Sequence, residues 1–89
     1  MPIVYILNLG NGKKYVGYTN NYKKRMNAHF TGRGSMVTRK YKPKFIEKII
    51  PCYNISYALT VERNVTLKLR KKYGKNKVRG SYWVNSKNF

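Results

Sequence analysis

The sequence predicts a small α/β (α+β) domain occupying residues 1–89 as one unit. Three observations predict it. A β-branched segment and a shorter aromatic segment flank a glycine-rich turn near the N-terminus. A second β-rich stretch closes at a proline. Two longer stretches carry helical periodicity and end signals. With 89 residues there is room for one modest core and no second domain.

Residues 2–9 (PIVYILNL) are apolar on both faces, as in a buried strand. GNGK (10–13) signals a turn and KYVGYT (14–19) returns, which makes a hairpin. Its register has two solutions. A two-residue Asn11-Gly12 turn pairs Tyr5 with Tyr18 and puts Tyr15 on the opposite face. A three-residue Gly10-Asn11-Gly12 turn pairs Tyr5 with Gly17 and puts Tyr15 diagonally beside Tyr5. Asn20 or Asn21 can cap a helix over 21–31, with Tyr22, Arg25, Met26 and His29 on one side. Residues 32–43 (GRGSMVTRKYKP) read as a basic loop with room for a short helix. Residues 44–50 read as a third strand ended by Pro51. Residues 55–73 form the longest helix, with Ser56 as a cap and Gly74 as its stop. Its apolar stripe is Ile55, Ala58, Val61, Val65 and Leu69, with Glu62 in the middle. The basic tail, 75–89, is left unassigned, with Tyr82, Trp83 and Val84 expected to pack.

Charge narrows the function. The chain holds 20 Lys plus Arg and two acidic side chains, a formal net charge of +18. Such a body predicts a polyanionic partner, DNA or RNA before a membrane surface. There is no Asp, which excludes a Ser-His-Asp triad. Glu47 and Glu62 lie on different elements, which disfavours paired-carboxylate glycoside hydrolysis. Carboxylate clusters for a two-metal site are missing. Cys52 stands alone, so disulfide frameworks and Cys-rich zinc sites are excluded. No apolar run approaches a membrane span and no signal-peptide pattern is present, so an intracellular protein is expected. Abundant Lys, Asn, Tyr and Ile fit an AT-rich genome such as that of a virus or phage.

A lone carboxylate among apolar helix residues is costly to bury without a partner. One reading of Glu62 is a salt bridge to one of the many cations. The other is a metal ligand, since one carboxylate with waters and substrate phosphate commonly holds Mg²⁺. Arg25 and His29, one turn apart, read either as a solvated basic face with Lys23 and Lys24 or as phosphate-directed groups. Tyr5 and Tyr15 read as strand aromatics or as hydroxyls aimed at a phosphate; a base role requires nearby positive charge.

Together these pieces resemble the GIY-YIG nuclease domain. The resemblance is carried by Ile3-Val4-Tyr5, Tyr15-Val16-Gly17 ten residues on, Arg25 and His29 on the next helix, and Glu62 within ALTVE (58–62). TNNYKKRMNAH (19–29), the 32–43 loop and YGKNKVRGSY (73–82) are similar to further segments of that family. The resemblance implies a three-stranded antiparallel sheet flanked by helices, and it selects the three-residue turn. It implies a metal-dependent DNA endonuclease with one Mg²⁺ or Mn²⁺ per site, leaving a 5′-phosphate and a 3′-hydroxyl. Glu62 would bind the metal, Arg25 would stabilise the pentavalent phosphate, and Tyr5 would activate or orient water. Tyr15 and His29 would support it, Gly17 would leave room, and Lys13 or Lys14 would assist. Asn76 loosely matches a late Asn of the family. Lys23, Lys24, Arg33, Arg39, Lys40, Lys42 and Arg79 are the expected nucleic-acid contacts. Ile3 replaces the first glycine of the motif, and no appended recognition module is seen. A homodimer or a recognition subunit is therefore an expected partner for double-strand cutting. The rival expectation is a basic nucleic-acid-binding protein without turnover, or a subunit inert alone.

Overall fold

The computed structural model describes residues 1–81 and 83. β1 (Ile3–Gly10) and β2 (Lys13–Thr19) form the expected hairpin. Next come α1 (Tyr22–Phe30), α2 (Met36–Lys40), β3 (Phe45–Pro51), α3 (Ile55–Tyr73) and β4 (Val78–Gly80). Tyr5 pairs with Gly17 and Leu7 with Tyr15, the register of the longer turn. Gly10, Asn11 and Gly12 all take positive φ, at 84°, 54° and 77°. That left-handed run lets the chain reverse with a bulge between Asn8 and Gly10.

The sheet has four strands in the order β3–β1–β2–β4, which corrects the expected three. β4 adds in parallel to β2, pairing Val78 with Lys14 and Gly80 with Val16. α3 supplies the crossover that a parallel addition requires. Three residues are too few for a periodicity signal, so this strand was invisible beforehand. Of the tail residues expected to pack, Trp83 is half-buried and bridges back to Gly80, while Tyr82 and Val84 lie outside the described residues.

Strand alternation sorts the core into two layers. Val4, Ile6, Val16 and Val78 face α3 with Ala58, Val61, Val65 and Leu69. Tyr5, Leu7, Leu9 and Tyr15 face α1 and α2 with Met26 and Val37. α3 spans 55–73 as expected, with Gly74 at its C-terminus, but Asn54 rather than Ser56 caps it, accepting from the Tyr57 amide at 2.7 Å. Asn21 caps α1 by accepting from the Lys24 amide. β3 forms an outer edge, bulged beside Glu47 where the β1 pairing slips between Ile6 and Leu7.

Candidate active site

The α1/α2 layer contains a buried polar chain. Tyr5, on a central strand, is 1% exposed, and its Oη lies 2.7 Å from Nε2 of His29. The imidazole is wholly buried, and its Nδ1 lies 2.8 Å from Oγ1 of Thr38. Tyr15 packs beside both, its ring 6.5 Å from that of Tyr5 and 5.4 Å from that of His29. A two-residue turn would have sent Tyr15 to the other layer, so the glycine-rich loop is what builds this cluster. Gly17 lies against the Tyr5 hydroxyl. A Cβ there would fall 2.4 Å from Oη, so any side chain would expel the phenol.

Arg25 reaches the cluster from α1 and interacts with both phenols. Burial opposes the guanidinium charge, but contact with Tyr5 and Tyr15 outweighs it and holds the cation. Burial, reinforced by neighbouring Tyr15, pushes the Tyr5 phenol above its usual range despite Arg25. Tyr5 therefore carries its proton at neutral pH. Burial, aided by the Arg25 charge, lowers His29 to about 4, so the imidazole is neutral.

Glu62 stands on α3 with 9% of its surface exposed. Among the described residues no ion pair or side-chain hydrogen bond reaches its carboxylate, although the chain carries 20 Lys plus Arg. Burial pushes it up to about 6. It lines a cleft of about 330 Å³ with Tyr18, Leu59, Arg63 and Ser81. Its charge acts on Tyr5 only weakly, as the least of the influences on that phenol. A second cleft, of about 300 Å³, is lined by Thr19, Asn21, Lys24, Arg25, Ala28 and Arg33.

The donor set bears on a metal. Among the described residues no three His, Cys, Asp or Glu side chains gather. Both nitrogens of His29 are already engaged. What fits is a hard cation held by the single Glu62 carboxylate, completed by waters and substrate oxygens, the way Mg²⁺ is often bound.

The other expected site residues divide. Lys13 sits on the Tyr15 face of β2, its Nζ 5.4 Å from the ring centroid of Tyr41. Lys14 points to the opposite layer, where it donates to Glu47, so it does not join the phenols. Asn76 is exposed in the turn before β4. Lys23, Lys24, Arg33, Arg39, Lys40 and Lys42 are exposed, as surface contacts must be. Arg79 is not; it is buried at 7% and donates to the carbonyls of Lys75 and Val78 at 2.9 and 3.2 Å. It braces the turn into β4 instead of facing solvent. Thr38 went unnoticed in the sequence because a threonine in a basic loop carries no signal until its partner is known.

No helix of the described residues is long and apolar enough to cross a membrane. The family profile described as the GIY-YIG catalytic domain matches residues 1–77. A UPF0213 protein of Fusobacterium nucleatum is 29% identical over 69 residues, covering 78% of this chain and 69% of that protein. A UPF0213 protein of Streptococcus agalactiae is 42% identical over 40 residues, 45% of this chain and 46% of the relative. One from Bacillus licheniformis is 44% identical over 39 residues, 44% and 40% of the two chains. No solved structure gives a significant match. With the hairpin motif, the α1 pair and the α3 glutamate in place, the profile match decides the matter: this chain belongs to the GIY-YIG catalytic domain family, a family of nucleases.

Proposed function

We propose that the chain is a divalent-metal-dependent DNA endonuclease that hydrolyses phosphodiesters to a 5′-phosphate and a 3′-hydroxyl. One observation carries the reading: Tyr5, Tyr15 and His29 form one buried cluster that Arg25 reaches from α1, and the buried Glu62 carboxylate has no ion pair or side-chain hydrogen bond among the described residues. Glu62 would hold Mg²⁺ or Mn²⁺. A cation so held neutralises phosphate charge and makes bound water more acidic. Arg25 would stabilise the negative charge that grows on the phosphate in the transition state. Tyr5 contacts the attacking water, and Tyr15 and His29 hold Tyr5 in place. Lys24 and Arg33, lining the same cleft as Arg25, guide the backbone, and the exposed lysines and arginines of 23–42 extend that track. One site per chain makes a nick the elementary product. A double-strand cut then takes a second protomer, a recognition subunit or a second encounter.

The test is a gel assay on end-labelled duplex and four-way-junction DNA with Mg²⁺, with Mn²⁺ and with EDTA, beside Glu62→Gln. Metal-dependent products that vanish in Glu62→Gln while binding persists are the expected result. Binding without cleavage in every metal would favour a nucleic-acid-binding protein without turnover. Cleavage retained by Glu62→Gln would remove the carboxylate from its role.

A further inference from the structure

His29 is the only histidine of the chain, it is fully buried, and both ring nitrogens are engaged. A neutral imidazole has one donor and one acceptor nitrogen, so the two contacts must run in the same direction along the chain. Either Thr38 donates to Nδ1 and Nε2–H donates to Tyr5, or Nδ1–H donates to Thr38 and Tyr5 donates to Nε2.

The surroundings of Thr38 distinguish these. Its Oγ1 lies 3.3 Å from the carbonyl oxygen of Ser35, which can only accept. The Ser35 hydroxyl, 3.2 Å away, accepts from the Thr38 amide as the cap of α2. With its proton on the Ser35 carbonyl, Thr38 accepts from His29 Nδ1–H. At the other end, Arg25, a donor only, stands near enough to Tyr5 to act on it electrostatically and offers its proton no acceptor. If His29 donated to the Tyr5 oxygen, the Tyr5 proton would be left without an acceptor among the described residues. The direction Tyr5 → His29 → Thr38 → Ser35 carbonyl satisfies every donor, as buried polar chains require.

The loop is shaped around this contact. A Cβ on Gly34 would fall 2.4 Å from His29 Nδ1 and 2.8 Å from Thr38 Oγ1. Gly34 takes no positive φ, so its lack of a side chain answers to space alone. The Gly34 backbone lies over the His29–Thr38 contact. Ser35 then starts a helix of a single turn that carries Thr38, 0% exposed, onto the ring.

We propose that Thr38 is a positioning residue that fixes the Nδ1–H tautomer of His29, so that Tyr5 donates inward and offers its oxygen outward as an acceptor to the attacking water. The part about water rests on the endonuclease reading; the tautomer does not. With its proton committed to His29, Tyr5 orients water by accepting from it and has no proton to give to the phosphate.

A single histidine makes the test direct. The 89-residue chain, labelled with ¹⁵N-histidine and free of metal and DNA, is read by long-range ¹H–¹⁵N correlation at neutral pH. The expected spectrum has Nδ1 protonated and Nε2 bare. Thr38→Ser keeps that pattern, and Thr38→Val, which preserves shape but removes the hydroxyl, loses it. A wild-type ring protonated at Nε2 overturns the proposal, and this arm decides even if Thr38→Val does not fold. In the cleavage assay Thr38→Val should lower kcat by roughly 10–100-fold with KM unchanged, and Thr38→Ser should restore most of it. Wild-type kcat in a folded Thr38→Val with an altered tautomer overturns the catalytic half. Absence of cleavage by the wild type would refute the nuclease reading while the spectrum still judges Thr38.

Discussion

Glu47 and Glu62 are the two acidic side chains of the sequence, and they meet opposite surroundings on the same side of the sheet. Glu47, at the bulge of β3, accepts from Lys14 and Asn8. Burial alone would raise it, but those two donors outweigh burial and hold it below the usual carboxylate range. Glu62, on the long helix, has only burial and is raised to about 6. A chain with twenty Lys plus Arg could have paired both. That it pairs one and leaves the other bare at the cleft with Tyr18 and Ser81 is the contrast on which the proposed metal role of Glu62 rests.

The largest effects expected are on cleavage. Arg25→Ala should slow it by roughly 10²–10⁵-fold with little loss of DNA binding, the range for donors that meet transition-state charge. Single-turnover rates beside a binding titration would check this; parallel losses in both would make Arg25 a plain phosphate anchor. Glu47→Ala should leave cleavage near wild type, and a deep loss there would erase the contrast between the two glutamates.

Acid should act next. His29 has a folded value of about 4 against an unfolded value of 6.5. As pH falls the unfolded chain takes the proton first, so the stability present above pH 6.5 drains between 6.5 and 4. On the order of 2 kcal/mol is expected after allowing for solvent screening. Glu62 works the other way between 4.5 and 6, since its folded form binds the proton more tightly. Urea unfolding at pH 7 and pH 4.5 in Glu62→Gln should therefore show a steeper acid loss than in wild type. A shallower one would contradict the sign.

The smallest effects are on stability at neutral pH, and they should differ in direction. Glu47→Ala removes the carboxylate partner of the buried Lys14 ammonium, leaving it the Tyr73 ring, and should cost about 1–2 kcal/mol. Glu62→Gln, without metal, removes an unpaired charge and should add up to ~1 kcal/mol, discounted for partial exposure. That gain should be full above pH 6 and gone below about 4.5. Thermal melts of the two variants at pH 7.5 with EDTA would settle the order. Two destabilised proteins would mean that Glu62 is held by the fold after all.

Much of this was readable from local signals. The α3 boundaries follow from periodicity and Gly74, whereas spacing left the hairpin register and the Arg25–His29 face open, and only the family resemblance brought Tyr5, Tyr15, Arg25 and His29 together. What was not readable is non-local. The direction of Lys14 follows from strand alternation only once the hairpin register is known. Arg79 looks like any surface cation until β4 is seen to pair with β2. Thr38 gains its meaning from a ring nine residues earlier, which a turn at Gly32 and the cap at Ser35 bring within reach.

The outer edge strand β3 carries a further consequence. Its far side is unpaired among the described residues, yet it is bulged at Glu47, flanked by Lys44 and Lys48, and closed by Pro51. Those features discourage another strand from adding to it. Two copies working on one duplex would therefore have to meet through surfaces other than the β3 edge.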